Sequence, residues 1–315
     1  MGQAHRPVLA TAATAALVVD PAGRYVDATF GRGGHSELIL QRLSDAGRLM
    51  AVDRDAHAIA AGRARFHSER RICFRHSAFS RLRELVAAAG WRARVSGLLL
   101  DLGVSSPQLE QPERGFSFQA TGPLDMRMDA SGGQTAGDWL QSAAPDELVR
   151  VLREYGEERF ARRIARAIVR ARDERRIATT TELAQIVAGA VPVRGSRRHP
   201  ATRTFQAIRM QINRELDELA AVLAAALELL VLGGRLVVIS FHSLEDRTVK
   251  RFMRTHSRPR PVPREIPLAH TEQSRPPLRL VGRAQRPLRA EILANPRARS
   301  ATMRVAEKMA EGVAG

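Results

Sequence analysis

Two short apolar runs, "RYVDATF" (24–30) and "GRLMAVDRD" (47–55), each end in an acid and flank a stretch of helical character at 36–44. Strand, helix, strand in that order, with strands apolar on both faces, restricts the chain to a mostly parallel sheet covered by helices. The runs "GLLLDLGVSS" (97–106), "GGRLVVISFHS" (233–243) and "ATMRVAEK" (301–308) extend the same pattern. We expect an α/β, Rossmann-like sheet. Between 110 and 205 the apolar spacing changes to that of helices: "PDELVRVLREYG", an arginine-rich helix over 159–176 with Phe160, Ile164 and Ile168 on one face, and "TELAQIVAGAV" behind a capping box of Thr179 and Glu182. A small helical domain, 110–205, is therefore expected inside an α/β domain made of 1–109 and 206–315. Proline and arginine crowd together at 257–289 without any period, which predicts a basic exposed loop.

Lys and Arg number 50 against 33 Asp and Glu, a net charge of +17, and 48 of the 50 are arginine. A GC-rich genome would explain the scarcity of lysine but not the excess of positive charge. Nucleic acid is the expected partner, since arginine binds phosphate as a planar fork and stacks on bases. The single cysteine, Cys73, excludes an internal disulfide and a multi-cysteine zinc site and suits a reducing cytoplasm. No His/Cys/Asp spacing points to a metal. The apolar stretch 8–19 has the length of a signal-peptide core, but Pro7 precedes it, Asp20-Pro21 closes it and no small-residue cleavage pattern follows, so it reads as a buried helix. The stretch 219–232 contains Glu228 and is too short to span a bilayer, and no membrane role is expected.

The turn "DATFGRGGHS" (27–36) follows the first strand. Glycines there let the backbone approach a ligand, but the dinucleotide fingerprint would carry Gly or Ala after Gly31 and Gly33 where this chain has Ser36. Asp53, ending the second strand, is placed to accept the hydroxyls of a ribose in either cofactor class. Asp27 discriminates: it would repel a pyrophosphate but pair with an ammonium, unless it merely caps the following turn. S-adenosylmethionine carries a ribose and an ammonium and no phosphate.

The stretches "TFGRGGHS", "DLGVSSPQLE", "ERGFSF", "GPLDMRMD", "HPATRTFQAIR" and "ISFHSLEDR" are together long and specific. With them the sequence resembles the S-adenosylmethionine-dependent methyltransferases of the RsmH (MraW) family, from "HRPVL" to "NPRARSATMRVAEK". The resemblance implies a class I methyltransferase-like sheet and methylation of the N4 amine of a cytidine in the decoding region of small-subunit (16S) ribosomal RNA, on RNA or on the small ribosomal subunit. It also implies a cofactor set of Gly33, Gly34, His35, Asp53, Phe79, Asp101 and Gln108, to which the turn itself adds Asp27 and Gly31. One departure is visible: after "HxPVL" the family usually carries an acid where this chain has Ala12.

A cytosine amine is a poor nucleophile, so an acceptor and precise orientation are needed. Asp101 at the end of the third run could serve the cofactor, the amine or both, or simply cap a strand. His242, after the fourth run, could relay a proton or be hydrogen-bonded internally. For RNA contact the arginine helix offers Arg162, Arg163 and Arg166, unless it is a solvated face. Phe116, Phe118 and Trp139 are the aromatics that could stack a base, Trp139 fitting a core position of the insert better than a stacking platform. Two other readings stay open: a non-catalytic RNA-binding assembly factor, and an NAD-dependent oxidoreductase, which Ser36, Asp27 and the arginine excess disfavour.

Overall fold

The computed structural model describes residues 7–192, 199–259 and 275–309. Seven strands, β1 (Arg24–Asp27), β2 (Arg48–Asp53), β3 (Ile72–His76), β4 (Val95–Asp101), β5 (Leu230–Ser240), β6 (Leu278–Leu280) and β7 (Thr302–Lys308), form one sheet in the order β3-β2-β1-β4-β5-β7-β6. The first five are parallel, while β7 runs antiparallel to β5 and β6 antiparallel to β7. The helices are α1 (Ala10–Leu17), α2 (Gly34–Leu40), α3 (Ala56–Arg65), α4 (Leu82–Ala88), α5 (Ser106–Glu110), α6 (Ala136–Ser142) and α7 (Pro145–Glu154), then α8 (Ala161–Glu174), α9 (Thr180–Ala190), α10 (Ala201–Asn213), α11 (Glu215–Leu229), α12 (Ser243–His256) and α13 (Arg289–Ala294).

The chain divides into two units: one runs to Gly103 and resumes at Asp217, and the other is Val104–Leu216. In the first, side chains alternate across the sheet as the pleat requires. Val26, Met50, Leu98 and Leu100 bury on the face that packs with Leu82 of α4, Val222 of α11 and Val249 of α12. Tyr25, Leu49, Leu99 and Val237 bury on the opposite face with Leu17 of α1 and Ile39 of α2. Both faces are covered, which is why the runs read as continuously apolar. β3 and β6 do not stand out in the sequence because they are polar-spaced edge strands, with burial restricted to Phe74 in one and Leu278 in the other. β6 corrects part of the loop expected at 257–289; residues 260–274 of that loop lie outside the described residues.

The second unit is helical around Leu140, Leu148, Val151, Ile164, Ile168 and Val187. It is wider than the 110–205 expected, because Ala207 and Ile208 of α10 belong to its core and Val104 and Leu109 pack on it. The Thr179–Glu182 capping box starts α9 as the sequence predicts. Among the described residues no helix is long and apolar enough to cross a membrane.

Candidate active site

β1 lies between β2 and β4, and the chain leaves β1 for β2 on one side while β4 and β5 continue on the other. Ligands of open parallel sheets bind outside the carboxyl ends of the strands at such a reversal. Three acids end those strands here: Asp27 on β1, Asp53 on β2 and Asp101 on β4.

The turn after β1 is built around the first two. Gly31 (φ 54°) donates its N–H to Asp53 Oδ2 at 2.7 Å, and the N–H of Asp55 reaches Oδ1 at 2.8 Å. Burial pushes the Asp53 carboxyl up to about 6 against those two donors, with the charges of Asp55 and Asp27 adding to the rise. Gly33 has φ 76°, and a Cβ there would sit 2.6 Å from the Phe30 ring, so both conformation and space demand glycine. A Cβ on Gly34 would meet Pro7 at 3.0 Å.

Asp27 is fully buried, accepting from Ser36 Oγ at 2.7 Å and from the Thr29 N–H at 3.2 Å. Burial raises its carboxyl above the usual range, and the Ser36 hydroxyl opposes that rise. This corrects the expectation that Asp27 itself faces an ammonium: no part of it is accessible, and it ties the turn to the start of α2. Ser36, the residue that breaks the dinucleotide fingerprint, is the other half of that tie.

His35 is 5% exposed and points its Nε2 at Asp101 Oδ2, 3.4 Å away, an ion-pair contact too poorly aligned to be a hydrogen bond. Burial lowers the imidazole's pKa, but the neighbouring Asp101 and Asp27 outweigh it and the net shift is upward. Asp101 is fixed through its backbone, whose N–H donates to Thr29 Oγ1 at 2.7 Å, while its buried Oδ1 makes no hydrogen bond. Thr29 therefore braces both Asp27 and Asp101. Its place in the turn is the one sequence signal that could have pointed to that role. Phe79 is half-buried at the 3₁₀ turn that follows β3 and packs against the apolar core on one face of the sheet.

Two expected residues have structural duties. His242 is the N-cap of α12: its Nδ1 accepts from the Glu245 N–H at 3.4 Å, and its Nε2 lies 3.0 Å from Glu245 Oε1. With Nδ1 acting as acceptor the proton sits on Nε2, facing buried Glu245, so the expected proton relay at His242 is corrected to a helix cap. Gln108, in the second unit, is 4% exposed and closes the capping box of α5 by accepting the Ser105 N–H at 2.9 Å. Near the N-terminus, Glu291 accepts the Leu9 N–H at 2.6 Å.

The aromatics of the second unit divide. Trp139 is 6% exposed in its core with the indole N–H donating to Glu147 at 3.2 Å, so its expected RNA contact is corrected to a packing role, and Phe116 is buried beside it. Phe118 is half-buried, its ring 4.7 Å from His199 and 4.8 Å from Phe205. Arg162, Arg163 and Arg166 are all exposed on α8.

The sequence profile of the MraW methylase family matches residues 2–309. The ribosomal RNA small subunit methyltransferase H of Thiobacillus denitrificans is 57% identical over 311 residues, covering 99% of both chains. That of Nitrosospira multiformis is 54% identical over 310 residues, covering 97% of each. Among solved structures, an rRNA methylase from Streptococcus thermophilus aligns with a TM-score of 0.44 at 11% identity, over 98% of this chain and all of that one. Matched along nearly its whole length by the family profile and by relatives more than half identical to it, the chain belongs to the MraW methylase family.

Proposed function

We propose that the protein transfers a methyl group from S-adenosylmethionine to the N4 amine of a cytidine in the decoding region of small-subunit ribosomal RNA, in the cytoplasm. The observation that carries this reading is the convergence of the glycine turn, Asp53 and the His35–Asp101 pair at the carboxyl ends of adjacent strands. The names of the relatives, small-subunit ribosomal RNA methyltransferases, support it.

The residues present fit the cofactor. Gly31, Gly33 and Gly34 carry no Cβ to fill the turn, Asp53 is a carboxylate held by two backbone N–H groups, and Phe79 is a half-buried aromatic after β3. When bound, the cofactor supplies an electrophilic methyl on a sulfonium. In this reading Asp53 holds the ribose hydroxyls and Phe79 lines the adenine. Asp101, whose side chain is partly exposed at the end of β4, is the acceptor that orients the amine and takes its proton. His35 positions Asp101, its buried Nε2 lying 3.4 Å from Oδ2.

The experiment is methyl transfer from labelled S-adenosylmethionine to purified small subunits and to naked 16S RNA, with the modified nucleotide mapped. Label on N4 of one decoding-region cytidine is the expected result. Cofactor binding with no transfer to either substrate would favour the assembly-factor reading instead.

A further inference from the structure

Between α7 and α8, within the helical unit, lies a concave surface of about 940 Å³. Its apolar lining is Pro145, Val149, Ala165 and Val169, and its remaining wall is charged: Arg150, Arg153, Arg162, Arg166 and Arg170 against only Asp146 and Glu154. The hollow exists because the larger apolar residues of both helices, Leu148 and Val151 on α7 and Ile164 and Ile168 on α8, turn into the core, leaving the small Ala165 at the floor between them. Glu154 is engaged by Arg150 at 3.1 Å, which leaves Asp146 as the one further carboxylate of the lining, facing four more guanidiniums.

We infer that this groove binds an unpaired segment of the RNA substrate, phosphates on the arginine row and bases against the apolar lining. The inference rests on the RNA substrate proposed above and adds the place and form of binding. Arg162, Arg166 and Arg170 recur every fourth residue on one helix, so they stand in a row about 6 Å apart. Such a row matches the linear array of charge on an extended strand. Arg166 is held in that row by its Nε, which donates to the Arg162 carbonyl at 3.3 Å. A guanidinium binds phosphate bidentately and stacks on a base, so an arginine wall beside an apolar lining suits a strand whose bases are free. Arg159 and Arg163, equally exposed, do not line the groove. The sequence spacing groups Arg162, Arg163 and Arg166; the helix separates Arg163 from the other two and puts Arg170 with them.

The test compares two double charge reversals that change net charge equally: Arg166→Glu/Arg170→Glu in the groove and Arg159→Glu/Arg163→Glu outside it. The probe is a fluorescent single-stranded oligouridylate, read by anisotropy as salt is varied, with an RNA duplex of the same length and an acidic amphipathic peptide as competitors. We expect the groove pair to weaken single-strand binding at least tenfold and to lower the log–log salt slope by about 0.7 for each phosphate that is no longer neutralised. The outside pair should change affinity less than about threefold, consistent with long-range charge alone. Equal effects of the two pairs, unchanged binding in the groove pair, or displacement by the peptide with no single-strand preference would each overturn the inference. Calorimetric S-adenosylmethionine binding and thermal melting confirm that each variant is folded. Methyl transfer by the wild type is scored separately, so failure of the methyltransferase reading leaves the binding result interpretable.

Discussion

Asp53 has two duties in the proposed site, because its carboxylate accepts the Gly31 N–H and so shapes the turn, and in the proposed function it holds the ribose hydroxyls. Asp53→Ala should weaken S-adenosylmethionine binding by about 1.5–3 kcal/mol, the scale for losing charged hydrogen bonds, as read by calorimetric titration. The sign of its pH dependence follows from the raised value. Ribose hydroxyls donate best to the ionised carboxylate, so affinity should hold above pH 6 and fall as pH drops through about 6, where Asp53 takes up a proton. In Asp53→Asn that inflection should vanish; if it persists, another group titrates. The same raised value means that ionised Asp53 opposes folding above about 6, and that this opposition is relieved as the pH falls. Asp101→Asn keeps shape and removes charge, and should lower single-turnover methylation by about 10²–10⁴-fold at saturating cofactor. Full recovery at saturation would leave Asp101 as a binding residue.

At the scale of elements, short polar signals decide where helices begin. The Thr179–Glu182 pair is visible as a capping box in sequence because it uses residues whose side chains have the right reach. His242 is less visible, since histidine is an uncommon cap, and in an "FHSLED" stretch its chemistry draws attention before its geometry does. As the N-cap of α12 it should matter to stability and little to chemistry. His242→Ala is expected to cost about 0.5–2 kcal/mol in thermal or urea unfolding, with Asn at the same position recovering most of it. Turnover of the folded Ala variant should stay within about twofold of wild type. A loss of turnover on the scale of the Asp101 variant would restore a catalytic role to His242.

For the molecule as a whole, each unit has its own apolar core. Ile164, fully buried in the helical unit, should therefore report on that unit: Ile164→Ala is expected to cost about 2–5 kcal/mol of its stability, shifting a transition in scanning calorimetry. S-adenosylmethionine at saturating concentration should raise the transition of the sheet unit, which holds the glycine turn and Asp53, more than that of the helical unit. A single transition raised uniformly by the cofactor would mean that the two units unfold as one.

The order of strands and helices, the parallel character of the sheet and the helical insert were legible in the sequence, because apolar period and glycine punctuation are local properties. So were the glycine turn and Asp53, whose spacing within one strand–helix–strand unit leaves few arrangements. The edge strands β3 and β6 were not, since an edge strand needs little apolar surface and leaves little pattern. Nor could sequence tell that Asp27 and Ser36 satisfy each other, that Trp139 faces inward, or that His35 meets Asp101, 66 positions along the chain. Those outcomes depend on which side chains the packed strands bring within a few ångströms. Burial then fixes their roles, because a carboxylate taken from water must find donors wherever the fold supplies them. The sequence determined which groups were available for binding and catalysis; the tertiary structure decided which remained free to act.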